Sequence, residues 1–246
     1  MQNQTIQGIN LREENLEGAG ISCNEISDLI HELVSELETH DLSVELVTPK
    51  ELPGDQQDLL IDLLYDVALD SFGRWLPYEA IDGRTREADY VLLLKRDERV
   101  IGYAVNEVME LAGKTVNYYN TILLRREIQH QGIAEPLFKL ELALGPSDYL
   151  LSRTQNPALY RAMDRLCSQT GYKMHPNGVE VPEALKKIVL AYDPEVGADL
   201  VKRGVYFGRA LMYDTPKPKT EEAHIWEKLG VEKGDAIMLV AERVQN

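Results

Sequence analysis

The chain has 246 residues, 44% of them hydrophobic and 27% charged, which is enough for one large or two small globular domains with a sizeable core. Its net charge is −15, and most of that charge lies in residues 1–70. This part contains sixteen Asp and Glu residues but only two basic residues, Arg12 and Lys50, so its net charge is −14. Such an acidic part disfavours general binding of nucleic acid or anionic lipid. No apolar run approaches the ~20 residues of a membrane helix, and no signal-peptide pattern is present. The two cysteines are too few for a disulfide framework. We therefore expect a cytoplasmic location without membrane or nucleic-acid partners.

Residues 1–42 are predicted to form an arm followed by an acidic amphipathic helix. Residues 1–21 show no sustained periodicity, which is typical of a loose arm. From Asn24 to His40, apolar residues recur at spacings of three and four, with acids on the other face. The apolar positions are Ile26, Leu29, Ile30, Leu33, Val34 and Leu37. Such a stripe either packs on the core of the same chain or binds a partner.

Residues 43–246 are predicted to form one larger domain, which begins with a strand and a helix. Residues 43–47 alternate as a strand does, and Pro53-Gly54 then breaks the chain. Asp55 is a candidate N-cap for a helix with one apolar face up to Ser71. Residues 74–88 contain proline, glycine and two large aromatics, and they predict a loop.

The middle of the chain predicts strands and helices in a regular order. Three strand-like runs, at residues 90–95, 100–108 and 116–124, are separated by polar turns. A helix over 131–144 ends at a Gly-Pro stop signal, and residues 149–152 then predict a buried strand. Another helix runs to Cys167.

Residues 177–233 predict an insertion between that core, 43–176, and a closing strand within 234–244. The insertion contains a helix over 182–191, a basic strand-like piece over 202–209 and a turn rich in proline and lysine.

The stretch around Gln129, Gly132 and Ala134 predicts an anion site. It joins an apolar strand end to an amphipathic helix through a polar turn. The first turn of a helix has N–H groups without intrahelical partners and carries partial positive charge, so a phosphate can bind there if small residues allow close approach. The alternative is an ordinary strand-to-helix turn with glycine for tightness.

This motif, Gln, two residues, Gly, one residue, Ala, resembles the signature of the GNAT superfamily of acetyl-CoA-dependent N-acetyltransferases, and the resemblance spans about residues 43–176. It implies an α/β (α+β) fold with a mixed, mostly antiparallel central sheet flanked by helices, here with an N-terminal helical extension and a C-terminal insertion. It also implies acetyl-CoA, or another acyl-CoA, as co-substrate. The backbone of Ile122 and Leu124 would bind the pantetheine arm, and Asn156 would make a polar contact near it. The pyrophosphate would lie on Gln129, His130, Gln131, Gly132, Ile133 and Ala134.

The resemblance also suggests acceptor-binding and catalytic residues. Trp75, Tyr78 and Tyr118 are candidates for holding the acceptor. The strand that often carries the general base in this family has no acid here, so Glu107 on the preceding strand is the candidate base. The family's usual position for the acid holds Cys167, and Tyr160, about 10 Å away along the helix, is the candidate acid.

We therefore expect an acyltransferase that moves an acetyl or other short acyl group from acyl-CoA to an amine of a small molecule or peptide, directly in a ternary complex. The alternative is a non-catalytic acyl-CoA-binding or partner-binding module on a GNAT-like fold, and a third reading is chemistry on a different acyl chain. A homodimer is compatible with the sequence. The five histidines are scattered without ligand-like pairing, so we expect no metal site.

Overall fold

The computed structural model describes residues 8–11 and 24–244. The chain divides into two compact units. The first contains the described residues up to Glu107 together with Asn120–Gly145, and the second contains Val108–Tyr119 and the described residues from Pro146 onward. The domain ranges proposed from the sequence remain a prediction. Cys23 and most of the predicted arm lie outside the described residues.

The first unit combines a hairpin-rich set of strands with four helices. Two of its strands, β4 and β5, also contribute residues to the second unit. The elements are β1 (Ile9–Asn10), α1 (Asn24–Glu38), β2 (Ser43–Val47), α2 (Gly54–Phe72), α3 (Glu79–Glu87), β3 (Tyr90–Arg96), β4 (Arg99–Leu111), β5 (Lys114–Leu124) and α4 (Ala134–Leu144).

The strands β1 to β4 pair antiparallel in chain order, with β1 on β2, β2 on β3 and β3 on β4. The pairing of Ile9 with Leu46 corrects the prediction of a loose arm at this point. Buried residues of α2, α3, β3 and β4 form one apolar core, with Leu64, Val91 and Tyr103 among its members. These strands are apolar on the core side, which is what fixes their register.

The acidic helix α1 packs on its own unit. It contacts β2 and α4, and its apolar stripe is buried at Ile30, Leu33, Val34 and Leu37. Of the two alternatives for this stripe, packing on the same chain is the one observed.

The predicted loop at residues 74–88 is partly wrong, because Glu79–Glu87 is helical. Ile81 and Thr85 lie one turn apart and are both buried, and an ion pair joins Asp82 to Arg86 at 2.8 Å. Gly83 lowers the intrinsic helix propensity of the segment, so tertiary packing decides its structure.

The second unit is organised on its last strand. Its elements are β6 (Tyr149–Thr154), α5 (Pro157–Thr170), β7 (Tyr172–His175), α6 (Glu183–Tyr192), β8 (Val201–Lys202), a left-handed turn over Val205–Gly208, α7 (Ala223–Trp226) and β9 (Ala236–Arg243). Strands β6, β7 and β8 each pair antiparallel with β9, whereas β5 pairs parallel with β6. The predicted fold class, a mixed and mostly antiparallel sheet with flanking helices, is confirmed.

The insertion before the closing strand is present, but its basic piece is not the strand that we predicted. Within the predicted piece 202–209, only Lys202 pairs with β9, as the second residue of the short strand Val201–Lys202. Strand geometry then stops because Gly204, Tyr206 and Phe207 have left-handed φ angles of 64°, 55° and 62°.

Candidate functional site

The turn between β5 and α4 contains the sequence motif. After Leu124 the chain makes a 3-10 turn over Arg126–Ile128 and then places His130 and Gly132 in the left-handed region, with φ of 66° and 84°. Only at Ala134 does α4 begin. The predicted helix start at residue 131 is therefore wrong, because the positive φ of Gly132 is incompatible with a helix.

The start of α4 faces open space. Ile133, which precedes the helix, provides no side-chain cap, and a Cβ built on Gly132 would meet no atom within 4 Å. Within residues 8–11 and 24–244, the backbone N–H groups of Gly132, Ile133 and Ala134 donate no hydrogen bond to another backbone group. These donors can therefore bind an anion from outside the chain.

The side chains of the two glutamines hold the turn in place. Gln129 Nε2 donates to the carbonyl oxygen of Leu124 at 2.8 Å and to Ser71 Oγ at 3.3 Å, while Gln131 Nε2 donates to the carbonyl oxygen of Glu127 at 2.9 Å. The motif glutamine thus ties the turn to β5 and to the end of α2. No local sequence pattern indicates Ser71 as a partner, because it lies 58 positions away in the chain.

The strand that leads into the turn carries the residues expected to bind the pantetheine arm. The parallel pairing of β5 with β6 covers Val116–Tyr119, and β5 continues beyond it to Leu124. Ile122 and Leu124 lie in this continuation. Their role in binding an arm stays a prediction.

Glu107 on β4 has a carboxylate whose pKa is raised above its ordinary value. Burial raises its pKa, and this outweighs the opposing effect of Asn120, whose Nδ2 donates to Glu107 Oε1 at 2.6 Å. A raised pKa and one fixed oxygen suit a general base. No sequence pattern singles out Asn120, because β5 contains a second amide at Asn117.

The two aromatic residues expected at the acceptor differ in their surroundings. Trp75 is 63% exposed. Tyr78 donates to Asp62 Oδ1 at 2.9 Å, and its ring meets that of Tyr65 edge-on at 5.2 Å. Burial, with the Asp62 carboxylate, raises the pKa of Tyr78 to about 12, so its hydroxyl stays protonated at neutral pH.

In the second unit, Asn156 and Tyr118 have structural contacts of their own. Asn156 is the N-cap of α5, and its Oδ1 accepts from the N–H of Ala158 at 2.9 Å. Tyr118 is buried, with its ring 4.5 Å from that of Tyr192. Their predicted ligand contacts stay predictions.

Tyr160 and Cys167, the two residues considered for the acid, are both buried on α5. Tyr160 donates its hydroxyl proton to the carbonyl oxygen of Pro176 at 2.8 Å, and burial, with the charge of Asp164, raises its pKa to about 12. Burial likewise raises the pKa of the Cys167 thiol to about 12, which suits a core residue. Tyr160 remains the predicted acid, and it would have to release Pro176 to act.

Among the described residues, no three His, Cys, Asp or Glu side chains come together as metal ligands. No helix between residues 24 and 244 is both long and apolar enough to cross a bilayer.

No protein-family model matches the sequence, and no curated protein matches it. Solved structures of GNAT acetyltransferases are similar to it. One, from Elizabethkingia anophelis with acetyl-CoA bound, has 16% identity over 82% of this chain and 98% of its own, with a TM-score of 0.44. The ribosomal-protein-S18-alanine N-acetyltransferase from Escherichia coli has 12% identity over 82% and 96%, with a TM-score of 0.44. The IAA acetyltransferase from Bacillus cereus has 15% identity over 82% and 99%, with a TM-score of 0.42. At these values no residue role is transferred to this chain.

Proposed function

We propose that this protein transfers an acetyl or other short acyl group from acyl-CoA to an amine of a small molecule or peptide, directly in a ternary complex. The observation that supports this most is the turn at residues 129–134. There the uncapped N-terminus of α4 and the open space in front of Gly132 come together. The pyrophosphate of coenzyme A needs hydrogen-bond donors and positive potential, and the backbone of this turn supplies both without a cationic side chain.

The approach to the turn suits the rest of the cofactor. On this proposal the extended backbone at Ile122 and Leu124 receives the amide groups of the pantetheine arm much as it would receive an added strand. Asn120, which contacts Glu107, lies four residues before Leu124, or ~13 Å along the strand. The Glu107 carboxylate is thus separated from the turn at residues 129–134 by a segment of β5. An extended pantetheine arm can lie along that segment.

Glu107 would supply the base for the transfer. An amine is mostly protonated at neutral pH, and it attacks only after it loses that proton. Glu107 accepts the proton, directly or through water, while Asn120 fixes its Oε1. The amine nitrogen then bonds to the acyl carbon as the carbon–sulfur bond breaks and the thiolate leaves.

The acceptor would lie near the α2–α3 segment of the same unit. Trp75 is exposed and can cover an acceptor, whereas Tyr78 is already bonded to Asp62 and would present mainly its ring. A cytoplasmic location is part of the proposal, and a homodimer remains open.

The experiment that tests the reaction is release of coenzyme A from acetyl-CoA, measured with and without an added amine across a panel. Amine-dependent release is expected. Glu107→Gln should lower kcat/KM about a hundredfold, since general-base catalysis contributes on this order. The wild-type kcat/KM should rise with pH through the raised pKa of Glu107 and then level, because only the carboxylate accepts the proton, and this acid limb should vanish in Glu107→Gln.

The matched control is Glu110→Gln, an exposed carboxylate on the same strand that accepts from Thr115 Oγ1 at 2.7 Å. Its kinetics should stay close to those of the wild type. Equal loss in both variants would remove Glu107 from the mechanism. Binding of acetyl-CoA without turnover on any amine would favour the non-catalytic module instead.

A further inference from the structure

A cavity of 340 Å³ lies in the second unit. It is lined by the segment that follows β7 and by residues of α6, α7 and β9. Part of its wall is apolar, because the buried side chains of Ile225 and Ile237 line it together with Val179 and Val181. None of the residues assigned to acyl transfer lines this cavity. Its volume and its partly apolar wall are those of a small-molecule site.

His224 presents its imidazole to the cavity at a defined place. Both His224 and Gly178 line the cavity, and a Cβ built on Gly178 would lie 3.5 Å from His224 Nε2. The imidazole therefore lies beside the backbone of Gly178. Within the described ranges, the His224 side chain makes no hydrogen bond or ion pair. Its ring N–H is thus available to a ligand.

Two lysines add positive charge to the same wall. Lys228 has no ion pair among residues 8–11 and 24–244. Lys186 Nζ lies 3.8 Å from Glu180 Oε1 and 3.7 Å from Glu183 Oε2, beyond hydrogen-bond distance. Those two carboxylates are 92% and 72% exposed, and water solvates such pairs so well that they contribute little. Both ammonium groups can therefore turn to an anion in the cavity.

The carboxylates that line the cavity do not cancel this charge. Asp199 accepts from Arg203 Nη2 at 2.7 Å and from the backbone N–H of Val201 at 3.2 Å, so its oxygens are already used. Glu180, the other carboxylate of the wall, is almost entirely in solvent. The wall therefore offers more free positive than free negative charge, in a chain whose net charge is −15.

We propose that this cavity binds a small phosphate ester with an apolar body. A phosphate monoester carries roughly −1.5 to −2 charges at neutral pH and accepts from several donors at once, which matches an imidazole and two ammonium groups on separate segments. No arginine is found among the lining residues that the structure describes, so the guanidinium fork that favours a carboxylate is not offered there. The ester's body would pack on Ile225 and Ile237. The site goes beyond the proposed acyltransferase activity, because its ligand requires no coenzyme.

The test is calorimetric titration of the full chain with phenyl phosphate, inorganic phosphate, benzoate and the neutral benzyl alcohol. Phenyl phosphate should bind at least about tenfold more tightly than each of the other three, since each lacks the phosphate group or the apolar body. Saturating acetyl-CoA should not displace it, because the turn at 129–134 belongs to the other unit. Benzyl alcohol or benzoate binding as tightly as phenyl phosphate would overturn the proposal, and so would displacement by acetyl-CoA.

Adjacent lysines on α6 supply a matched pair of variants. Lys186→Met should weaken phenyl phosphate binding about tenfold, as should Lys228→Met and His224→Ala. Lys187→Met is the control, because Lys187 is exposed and does not line the cavity, and it should bind as the wild type does. All four side chains are at least partly exposed, so the circular dichroism spectra should be unchanged. Retained affinity in the three cavity variants, or an equal loss in Lys187→Met, would contradict the assignment.

Discussion

Gly132 and Gly234 have almost the same backbone conformation in very different surroundings. Their φ angles are 84° and 82°. A Cβ on Gly234 would lie 1.9 Å from the carbonyl oxygen of Val205 and 2.9 Å from the backbone nitrogen of Arg209, whereas one on Gly132 would meet nothing within 4 Å. Gly234 is needed by the chain's own packing in the second unit. Gly132, in the first unit, leaves space that the described residues do not fill.

A glycine can be required at a position for two different physical reasons, and the sequence alone does not distinguish them. Both residues supply a left-handed φ, which is what a turn requires. Only at Gly234 does the missing side chain let two backbone segments approach. At Gly132 the space in front of the backbone is open, and on the proposed function the pyrophosphate approaches there.

The largest expected effect is on stability at the packed glycine. Gly234→Ala adds backbone strain and a clash with backbone atoms that no rotamer change relieves, so the free energy of unfolding should fall by roughly 3 kcal/mol or more. Urea denaturation measures this change. Gly171→Ala is the matched control, with φ of 76° and nothing within 4 Å, and it should cost about 1–2 kcal/mol. Equal losses would mean that Gly234 is not limited by packing.

A smaller effect is expected from the residue that positions the open turn. Gln129→Ala removes the 2.8 Å bond to the Leu124 carbonyl and should cost about 1 kcal/mol of stability. Because the turn is then less well fixed, acetyl-CoA affinity should fall about tenfold, or ~1.4 kcal/mol. Gln57→Ala removes an equally short bond, to the Pro49 carbonyl at 2.8 Å, and should match the stability loss only. Unchanged affinity in Gln129→Ala would show that the side chain does not position the site.

Periodicity explains why most elements could be predicted. The apolar stripe of α1 and the strand runs of β3, β4 and β5 carry their pattern in neighbouring residues. Segment α3 escaped prediction because Gly83 and a polar composition weaken its local signal. The piece after Lys202 did so because Tyr206 and Phe207 adopt left-handed φ angles, which their residue types do not signal.

The candidate site likewise contains a part that the sequence predicts and a part that it does not. The motif around Gly132 is local, so the sequence located the turn. The partners of its residues are not local: Ser71 reaches Gln129 through the end of α2, and Asn120 reaches Glu107 from the next strand.

Calorimetric titration with acetyl-CoA of the wild type and two valine variants tests the central claim most directly. Gly132→Val and Gly113→Val introduce the same side chain at left-handed glycines, with φ of 84° and 74°, that each have nothing within 4 Å. Both should therefore lose a similar 1–3 kcal/mol or so of stability. The account predicts that Gly132→Val abolishes acetyl-CoA binding while Gly113→Val binds as the wild type does. Unchanged affinity in a folded Gly132→Val would contradict it.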